Sequence, residues 1–405
     1  MLTIKNVKLL DGTVGEHTID SDEPFLIDAE GRLTLLPALI DPHVHFRTPG
    51  AEYKENWKSA AHAAVSGGVT CVFDMPNTNP PCTNVENLDA KFELIDKQLE
   101  EVEIPLRYHL YYGADAERLE TLGHVKNRVV GLKIYMGSST GGLTMDDPSA
   151  LDRAFQLAAQ HDVIVSVHAE DEEIMKANSE KYKGSNDPST HSKIRSREAA
   201  IKATQQAIDL AEKHGTQLLI CHTSTAEEID MIRKAKKRQL LVYCEVSTHH
   251  LFLNESDYDH LLTLALVNPP LRTPRDQEAI WQGIHDGTVD FIGTDHAPHT
   301  LEEKTKPYGQ APSGMPGIQT LLPLLLNAYN EKKITLEKIV RLTHINIEQI
   351  FGLERNQDFV LVDLELMKEV QVSELKSKCG WSPYAGMRLK GWPIYTILKG
   401  KVFHC

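Results

Sequence analysis

Two histidines that stand two residues apart are the first candidates for chemistry in this chain. His43 and His45 end an apolar run, in the string Asp-Pro-His-Val-His at 41–45. In a strand, side chains at i and i+2 lie on the same face, so the two imidazoles project together. Two adjacent imidazoles suit a borderline cation such as Zn²⁺. By itself the pair is a weak signal for a metal site.

Four further residues with suitable chemistry stand at or near the ends of later apolar runs: Lys133, His168, His222 and Asp295. Taken singly, each is better interpreted as a hydrogen-bonded structural residue. Together with the histidine pair, they place six metal-compatible groups at the same ends of five predicted strands. This coincidence predicts a metal centre at that end of the fold.

Lys133 needs a separate argument, because an ammonium group repels a cation. A buried lysine near a metal can lose its proton. The neutral amine can then add CO₂ and become a carbamate, whose two oxygens can reach two metals. On this hypothesis His43, His45 and Asp295 bind one ion and the other two histidines bind the second. Spacing alone favours an ordinary solvated or ion-paired lysine over this hypothesis.

The chain alternates short apolar or β-branched runs with stretches of helix-like apolar spacing, such as 55–66, 150–160 and 197–213. Eight alternations predict an α/β protein with a (β/α)₈ TIM barrel, whose active site forms at the carboxyl ends of the strands. The eight runs are 36–45, 69–75, 106–112, 129–135, 163–168, 217–222, 240–246 and 289–294.

The two ends of the chain do not follow this alternation and read instead as short strands separated by turns. We therefore predict a small β-sandwich domain built from residues 1–36 and 356–405. Residues 37–355 then form the catalytic barrel. This arrangement places the N- and C-termini side by side.

Composition excludes several classes of protein. The 405 residues carry 43 Lys and Arg against 57 Asp and Glu, a net charge of −14 that argues against a nucleic-acid partner. The first residues do not read as a secretory signal, and no apolar run approaches the length of a membrane span. Six cysteines form no CxxC pair. We expect a reduced cytoplasmic protein with buried thiols, and a small molecule as its partner.

Several strings together resemble the amidohydrolase superfamily, and within it the dihydroorotase family. The two long motifs are DPHVHFRTPG at 41–50 and GTDHAPH at 293–299, with Lys304 five residues further on. Between them, in the family's order, lie DMPNT at 74–78, GLK at 131–133, VHAE at 167–170, CHTS at 221–224 and NPPLR at 268–272. The resemblance covers nearly the whole chain, and the two long motifs together are highly specific.

The resemblance implies the same barrel with a β-sandwich from the termini. It also implies two zinc ions per subunit, bridged by a carboxylated lysine at position 133. Some bacterial members with the HFRxPG string carry an aspartate there, so Lys133 places this chain nearer the lysine-bridged members. The implied activity is the reversible hydrolysis of (S)-dihydroorotate to N-carbamoyl-L-aspartate, in de novo pyrimidine (UMP) biosynthesis.

Roles for individual residues follow from this reaction. Two metals lower the pKa of a water molecule and polarise the amide carbonyl, and Asp295 is placed to accept the proton and pass it to the leaving nitrogen. In the competing interpretation, Asp295 is only a metal ligand and does not transfer a proton. The planar fork of Arg47 suits the substrate carboxylate. Asn77 and His299 resemble family substrate contacts, and Asn268 is expected near the ring; turn or structural roles are the alternatives for these three.

Two other functions are alternatives. A hydantoinase or allantoinase shares the metal ligands but needs no arginine at position 47. A catalytically silent scaffold for aspartate transcarbamoylase should have lost metal ligands, and none is missing.

We expect a homodimer, and association with aspartate transcarbamoylase is left open. Segments 257–275 and 304–317 are hypothesised to cover the barrel mouth and to close over substrate. His249 and His250 are expected to pack or hydrogen-bond.

Overall fold

The computed structural model describes residues 1–21, 24–139 and 141–405, and the strands among them form two sheets. In chain order the strands are β1 (Leu2–Lys8), β2 (Val14–Ile19), β3 (Phe25–Asp28), β4 (Thr34–Pro37), β5 (Leu39–Val44), β6 (Val69–Asp74), β7 (Arg107–Gly113), β8 (Gly131–Tyr135), β9 (Val165–His168), β10 (Leu218–Ile220), β11 (Val242–Ser247), β12 (Phe291–Gly293), β13 (Phe359–Glu369), β14 (Arg388–Leu398) and β15 (Lys401–His404). Strands β5 to β12 form one sheet, and the others form the second.

Helices connect the strands of the first sheet and continue beyond it. They are α1 (Trp57–Ser66), α2 (Val85–Glu101), α3 (Leu122–Val125), α4 (Pro148–His161), α5 (Glu172–Lys181), α6 (Thr190–Ile194), α7 (Arg197–His214), α8 (Ala226–Lys237), α9 (Thr248–Phe252), α10 (Tyr258–Leu261), α11 (Pro274–Asp286), α12 (Leu301–Lys304), α13 (Leu321–Asn330), α14 (Leu336–Val340) and α15 (Asn346–Phe351). Helix α4 is typical: the Asp147 carboxylate accepts from the Ala150 amide at its N-terminus, and its buried positions 151, 154, 155 and 158 follow helical spacing. Among the described residues, no helix has the length and apolar character needed to span a bilayer.

Strands β5 to β12 run parallel, and each pairs with the next along the chain. The barrel closes between its first and last strands: Val44 bridges to His296, and the His45 amide donates to the His296 carbonyl at 2.8 Å. The Asp41 carboxylate of β5 accepts from the Thr294 amide at 3.0 Å and from its hydroxyl. The predicted (β/α)₈ barrel is confirmed.

The barrel strands are buried on both faces, which explains why they appear in the sequence as apolar runs rather than as alternating patterns. One set of side chains packs against the surrounding helices in the largest hydrophobic cluster. Alternate strand residues form a separate cluster that includes Ile40, Phe73, Tyr111, Leu219 and Phe291. The buried polar residues at strand ends, such as His43, Lys133 and His168, are therefore exceptions among apolar neighbours.

The second sheet is built from both ends of the chain, in the order β15-β14-β13-β4-β1-β2, with β3 paired to β1. Strand β4 from the N-terminal segment runs antiparallel to β13 from the C-terminal segment, with Leu36 opposite Val360. The second sheet has a separate hydrophobic core, which contains Leu2, Ile4, Leu361 and Ile397. The predicted β-domain from both termini is confirmed. Its boundaries at 36 and 356 stay a prediction.

The two segments expected at the barrel mouth pack against each other. The buried Lys304 ammonium donates to the Leu266 carbonyl at 2.9 Å and to the Pro312 carbonyl at 3.0 Å, and the Gly314 amide also donates to Leu266. Residues of both segments share a hydrophobic cluster with Trp381 and its neighbours in the C-terminal segment. Closure over substrate stays a prediction.

A buried ion pair supports the end of β6, and its removal should destabilise the fold. Lys91 Nζ lies 2.6 Å from Asp74 Oδ2, and the other Asp74 oxygen accepts from the Phe46 amide at 2.8 Å. Lys91→Met leaves a buried carboxylate without its counter-ion, so we expect the free energy of unfolding to fall by about 3–5 kcal/mol. The free energy of unfolding is measured by urea titration, monitored by circular dichroism.

The matched control is the double variant Asp74→Asn/Lys91→Met, in which no buried charge is left unpaired. We expect it to recover most of the loss, because the new amide oxygen at position 74 can still accept from Phe46. A Lys91→Met protein with wild-type stability would contradict a structural role for the pair.

Candidate metal centre and substrate cleft

The six sequence-predicted metal ligands meet at the carboxyl end of the barrel. His43, Lys133 and His168 lie within β5, β8 and β9, whereas His45, His222 and Asp295 come just after β5, β10 and β12. All six line one cleft, together with three of the predicted substrate contacts: Arg47, Asn77 and Asn268. His299 lies beside Arg47, with its Nε2 3.1 Å from a terminal nitrogen of the guanidinium.

His43, His45 and Asp295 form the first group of donors. The Nε2 atoms of the two histidines lie 3.4 and 3.0 Å from the same Asp295 oxygen, Oδ1. These are the separations expected between neighbouring ligands of one zinc ion, whose bonds to N and O are about 2.0–2.2 Å long. The group fits a metal ion bound by two imidazoles and one carboxylate.

His168 and His222 form the second group. Nδ1 of His168 lies 3.1 Å from Nε2 of His222, and the buried Nδ1 of His222 has no hydrogen-bond partner among the described residues. The rings of His222 and His43 lie 5.3 Å apart, so the second group adjoins the first. Two groups at this separation are typical of a binuclear centre.

The electrostatics of these donors suit a cation. Burial lowers the pKa of His45 to about 4 and that of His168, and together with His168 and Lys133 it lowers the pKa of His222 well below its usual value. Three imidazoles are therefore neutral at pH 7, with lone pairs available. Burial alone would raise the pKa of Asp295, but His43 and His45 hold it well below its ordinary value. Asp295 is ionised.

His43 differs from the other three histidines. Burial alone would lower its pKa, but the Glu245 and Asp295 carboxylates raise it to about 10. This position therefore strongly favours positive charge, which a proton or a bound metal ion can supply. A divalent cation brings more positive charge than a proton, so the same field favours metal binding.

Lys133 stands among these ligands without a counter-ion. Its side chain is 1% exposed, and its ammonium donates to Cys221 Sγ at 3.1 Å. Within the described residues no carboxylate lies within 4.0 Å of its nitrogen, so the lysine here is neither solvated nor ion-paired to an acid. A buried, unpaired amine beside metal ligands fits the carbamate hypothesis.

Three ligand histidines are oriented by partners that the sequence analysis did not identify in this role. Nδ1 of His43 lies 2.8 Å from Glu245, Nδ1 of His45 lies 2.7 Å from Asn77, and Nε2 of His168 lies 2.8 Å from Glu170. Such contacts fix the ring and its tautomer, leaving the other nitrogen for the metal. Glu245 also joins His43 and Cys221 in a close buried group.

Arg47 is a buried arginine whose terminal nitrogens are free to bind an anion. Its Nε donates to the Pro298 carbonyl at 2.9 Å, and among the described residues no carboxylate lies within 4.0 Å of the guanidinium. Neighbouring His299 is neutral, since burial and the nearby cations Arg47 and Lys54 lower its pKa. Lys54 donates to its Nδ1 at 2.9 Å, so Nε2 donates to the Ser313 carbonyl at 3.0 Å.

This assignment leaves the Arg47 guanidinium without an acceptor in His299, although their nitrogens are 3.1 Å apart. A nitrogen that carries its hydrogen toward Ser313 cannot also accept from an arginine. The structure therefore places an unpaired positive charge, only 7% exposed, at the edge of the cleft.

Three site residues have left-handed backbone conformations, with φ of +60° at Arg47, +35° at His222 and +47° at Asp295. Residues with side chains adopt this region rarely, and such strain concentrates at functional sites. Gly314 also approaches the cleft with φ of +133°, and a Cβ there would lie 2.5 Å from the Ala297 carbonyl oxygen. Glycine is required at this position.

His249 and His250 are outside the ligand set, as expected. Both contact the Ser247 hydroxyl, at 2.9 and 2.7 Å, and His250 also contacts the carbonyl of Pro269. All six cysteines are unpaired and five of them are buried.

Comparison with known proteins yields relatives over almost the full chain. The sequence matches the amidohydrolase family over residues 34–403. A dihydroorotase of Methanosarcina acetivorans is 35% identical over 417 residues, which cover 99% of this chain and 87% of that protein. The multifunctional protein CAD of Squalus acanthias is 35% identical over 373 residues, covering 92% of this chain and 15% of that protein.

A solved structure is similar over nearly the same span. The L-hydantoinase (dihydropyrimidinase) of Arthrobacter aurescens superposes with a TM-score of 0.91 at 25% identity, covering 99% of this chain and 95% of that one. The comparison by sequence therefore favours dihydroorotases, and the comparison by structure finds a hydantoinase.

Proposed function

The chain belongs to the amidohydrolase family, and within it to the dihydroorotases, and on this basis we propose a two-zinc site that interconverts dihydroorotate and N-carbamoyl-L-aspartate. The enzyme is a cyclic amide hydrolase. It opens the ring of (S)-dihydroorotate by hydrolysis of an amide bond and closes the ring in the reverse direction. The proposal beyond the family concerns which residues do this and what they bind.

Zinc is the metal proposed here, because imidazole and carboxylate donors are among its usual ligands. His43, His45 and Asp295 would bind one ion, and His168 and His222 the other, with Lys133 as a carbamate between them. Zinc in these positions would polarise the amide carbonyl and make a water molecule easier to deprotonate. The number of ions and the carboxylation of Lys133 are part of the proposal.

Asp295 is proposed to carry the proton. It is ionised at neutral pH because neighbouring histidines stabilise its charge, so it can accept a proton from the attacking water. It then transfers that proton to the leaving nitrogen of the amide. In ring closure the same carboxylate removes a proton from the ureido nitrogen.

Substrate recognition is supported by one observation above the others: the buried, unpaired guanidinium of Arg47. Burying a charge without a partner is costly, and a substrate carboxylate removes that cost by forming charge-assisted hydrogen bonds. Dihydroorotate carries such a carboxylate. Asn77 and Asn268, which line the same cleft, are proposed as further substrate contacts. His299, which lies beside Arg47, is proposed as the fourth substrate contact.

The alternatives are less well supported. A hydantoinase resembles this chain in fold, but hydantoins lack the ring carboxylate that would explain Arg47. A catalytically silent scaffold would not be expected to keep a full set of metal ligands in one cleft. A cytoplasmic location, a homodimer and binding to aspartate transcarbamoylase stay predictions. The match within the much longer Squalus acanthias protein shows only that a similar segment occurs inside a multifunctional chain.

The test compares two substrates that differ by one group. 5,6-Dihydrouracil is dihydroorotate without the carboxylate, so it retains the amide but cannot engage Arg47. We expect kcat/KM for dihydroorotate to be higher by at least about 100-fold. A preference for dihydrouracil would contradict the proposal and favour the hydantoinase alternative.

Arg47→Ala should separate binding from chemistry. Loss of the charge-assisted bonds is expected to raise KM for dihydroorotate by about 10- to 100-fold with little change in kcat. Arg47→Lys, which keeps the charge but not the planar fork, should give an intermediate KM. Steady-state hydrolysis assays measure both constants. An unchanged KM in the alanine variant would show that the carboxylate binds elsewhere.

A further inference from the structure

His191 contacts a cleft residue, although the proposed chemistry gives it no role. It is the second residue of α6, and its ring packs edge-on to Tyr308 with centroids 6.3 Å apart. Its Nε2 lies 2.8 Å from Asn268 Oδ1 and 3.1 Å from the Val267 carbonyl oxygen. Asn268 and Val267 both line the cleft.

The position of the His191 hydrogen follows from these partners. Burial and the Arg195 guanidinium lower the pKa of His191 to about 4, so its ring is neutral at pH 7 and carries a single N–H. A carbonyl oxygen such as that of Val267 can only accept. Nε2 must therefore be the nitrogen that carries the hydrogen, and it donates to Asn268 as well.

This donor fixes the orientation of the Asn268 amide. An atom that accepts from His191 must be the amide oxygen, so the amide nitrogen Nδ2 points away from the histidine. Among the described residues Nδ2 has no hydrogen-bond acceptor, and it is not among the buried unpartnered atoms. It therefore remains accessible from the cleft, with two hydrogens available to a ligand.

We propose that His191 is a positioning residue, which keeps the Asn268 amide turned so that its NH₂ group donates to an oxygen of the bound substrate. This inference rests on the proposed function. Without His191 the amide can rotate by half a turn and present its oxygen, which repels the oxygens of dihydroorotate and N-carbamoyl-L-aspartate. Every carboxylate and carbonyl oxygen of these two molecules is a hydrogen-bond acceptor. A cleft surface that offers hydrogen-bond donors therefore favours their binding.

A double-mutant cycle with three variants tests the proposal: His191→Phe, Asn268→Ala and the two combined. Phenylalanine keeps a ring against Tyr308 but removes the donor. We expect KM to rise about tenfold in each single variant, with kcat within about threefold of wild type. Because His191 acts through Asn268, the double variant should be no worse than Asn268→Ala. Effects that multiply in the double variant would show an independent, structural role and overturn the proposal.

His191→Gln provides the conservative rescue. Its side-chain amide can still donate to Asn268, so we expect KM within about threefold of wild type. A tenfold defect in this variant, at wild-type thermal stability and zinc content, would also contradict the proposal.

The same cycle is measured in Kd for N-carbamoyl-L-aspartate by calorimetry in an Asp295→Asn background, in which ring closure is too slow to consume the ligand. A wild-type protein that binds this ligand without hydrolysing dihydroorotate would contradict the proposed function, while the cycle in Kd would still decide the role of His191. Equal Kd values for the Asp295→Asn protein with and without His191→Phe would overturn the positioning role.

Discussion

Replacing Asp295 with alanine is expected to lower kcat by about 10³- to 10⁴-fold, because one substitution removes both a metal ligand and the proposed proton carrier. Asp295 Oδ1 lies 3.0 Å from His45 Nε2 and 3.4 Å from His43 Nε2, so alanine also leaves the two histidines without their shared partner. Dihydroorotate hydrolysis at saturating substrate and zinc measures the effect.

A second variant, Asp295→Asn, separates the two roles of this residue. The asparagine amide keeps an oxygen for the metal but is a very weak base, so zinc content should be retained more fully than turnover. Asp89→Ala, on the exposed surface of α2, is the matched control and should be fully active. An Asp295→Ala enzyme with wild-type kcat would contradict both the ligand role and the proton-carrier role.

The second large effect is expected at Lys133. Lys133→Ala should reduce the zinc content from two ions per chain to one or fewer and lower kcat by about 10²- to 10³-fold, since bridging ligation is lost. The physical reason is the environment of the amine: it is buried, it has no carboxylate within 4.0 Å among the described residues, and it lines the same cleft as both groups of ligands. Metal analysis and turnover are measured on the same preparation.

Lys133→Arg tests whether charge or carboxylation matters. Arginine keeps a positive charge but does not form a carbamate, so this variant should be as defective as Lys133→Ala. Carbon-13 NMR with labelled bicarbonate should show a carbamate signal in the wild type that both variants lack. A Lys133→Arg enzyme with two zinc ions and wild-type turnover would contradict a bridging carbamate.

The barrel could be predicted because its strands are buried on both faces and therefore stand out as apolar runs. Run 69–75 became β6 (Val69–Asp74), and run 163–168 became β9 (Val165–His168). The cleft followed from the same pattern, because residues that end parallel strands must meet at one end of a barrel. His43 and Asp295 lie far apart in the sequence, yet topology alone brings them together.

The partners of the ligands could not be predicted in this way. Glu245 carries a detectable signal, a charged residue inside an apolar run, but nothing in the sequence states that it faces His43. Arg195, which donates to Glu170, and His191, which donates to the proposed substrate contact Asn268, come from the helical region after β9. The packing of that region depends on side-chain contacts rather than on strand register. The cluster that joins the mouth segments to Trp381 depends on the path of the C-terminal segment, which no local pattern specifies.

The most direct test of the proposed function is the hydrolysis of (S)-dihydroorotate by the purified wild-type chain, with zinc counted in the same sample. We predict steady turnover in both directions, two zinc ions per chain, and loss of activity on chelation that added zinc reverses. A chain that binds two zinc ions and neither opens dihydroorotate nor closes N-carbamoyl-L-aspartate would contradict it.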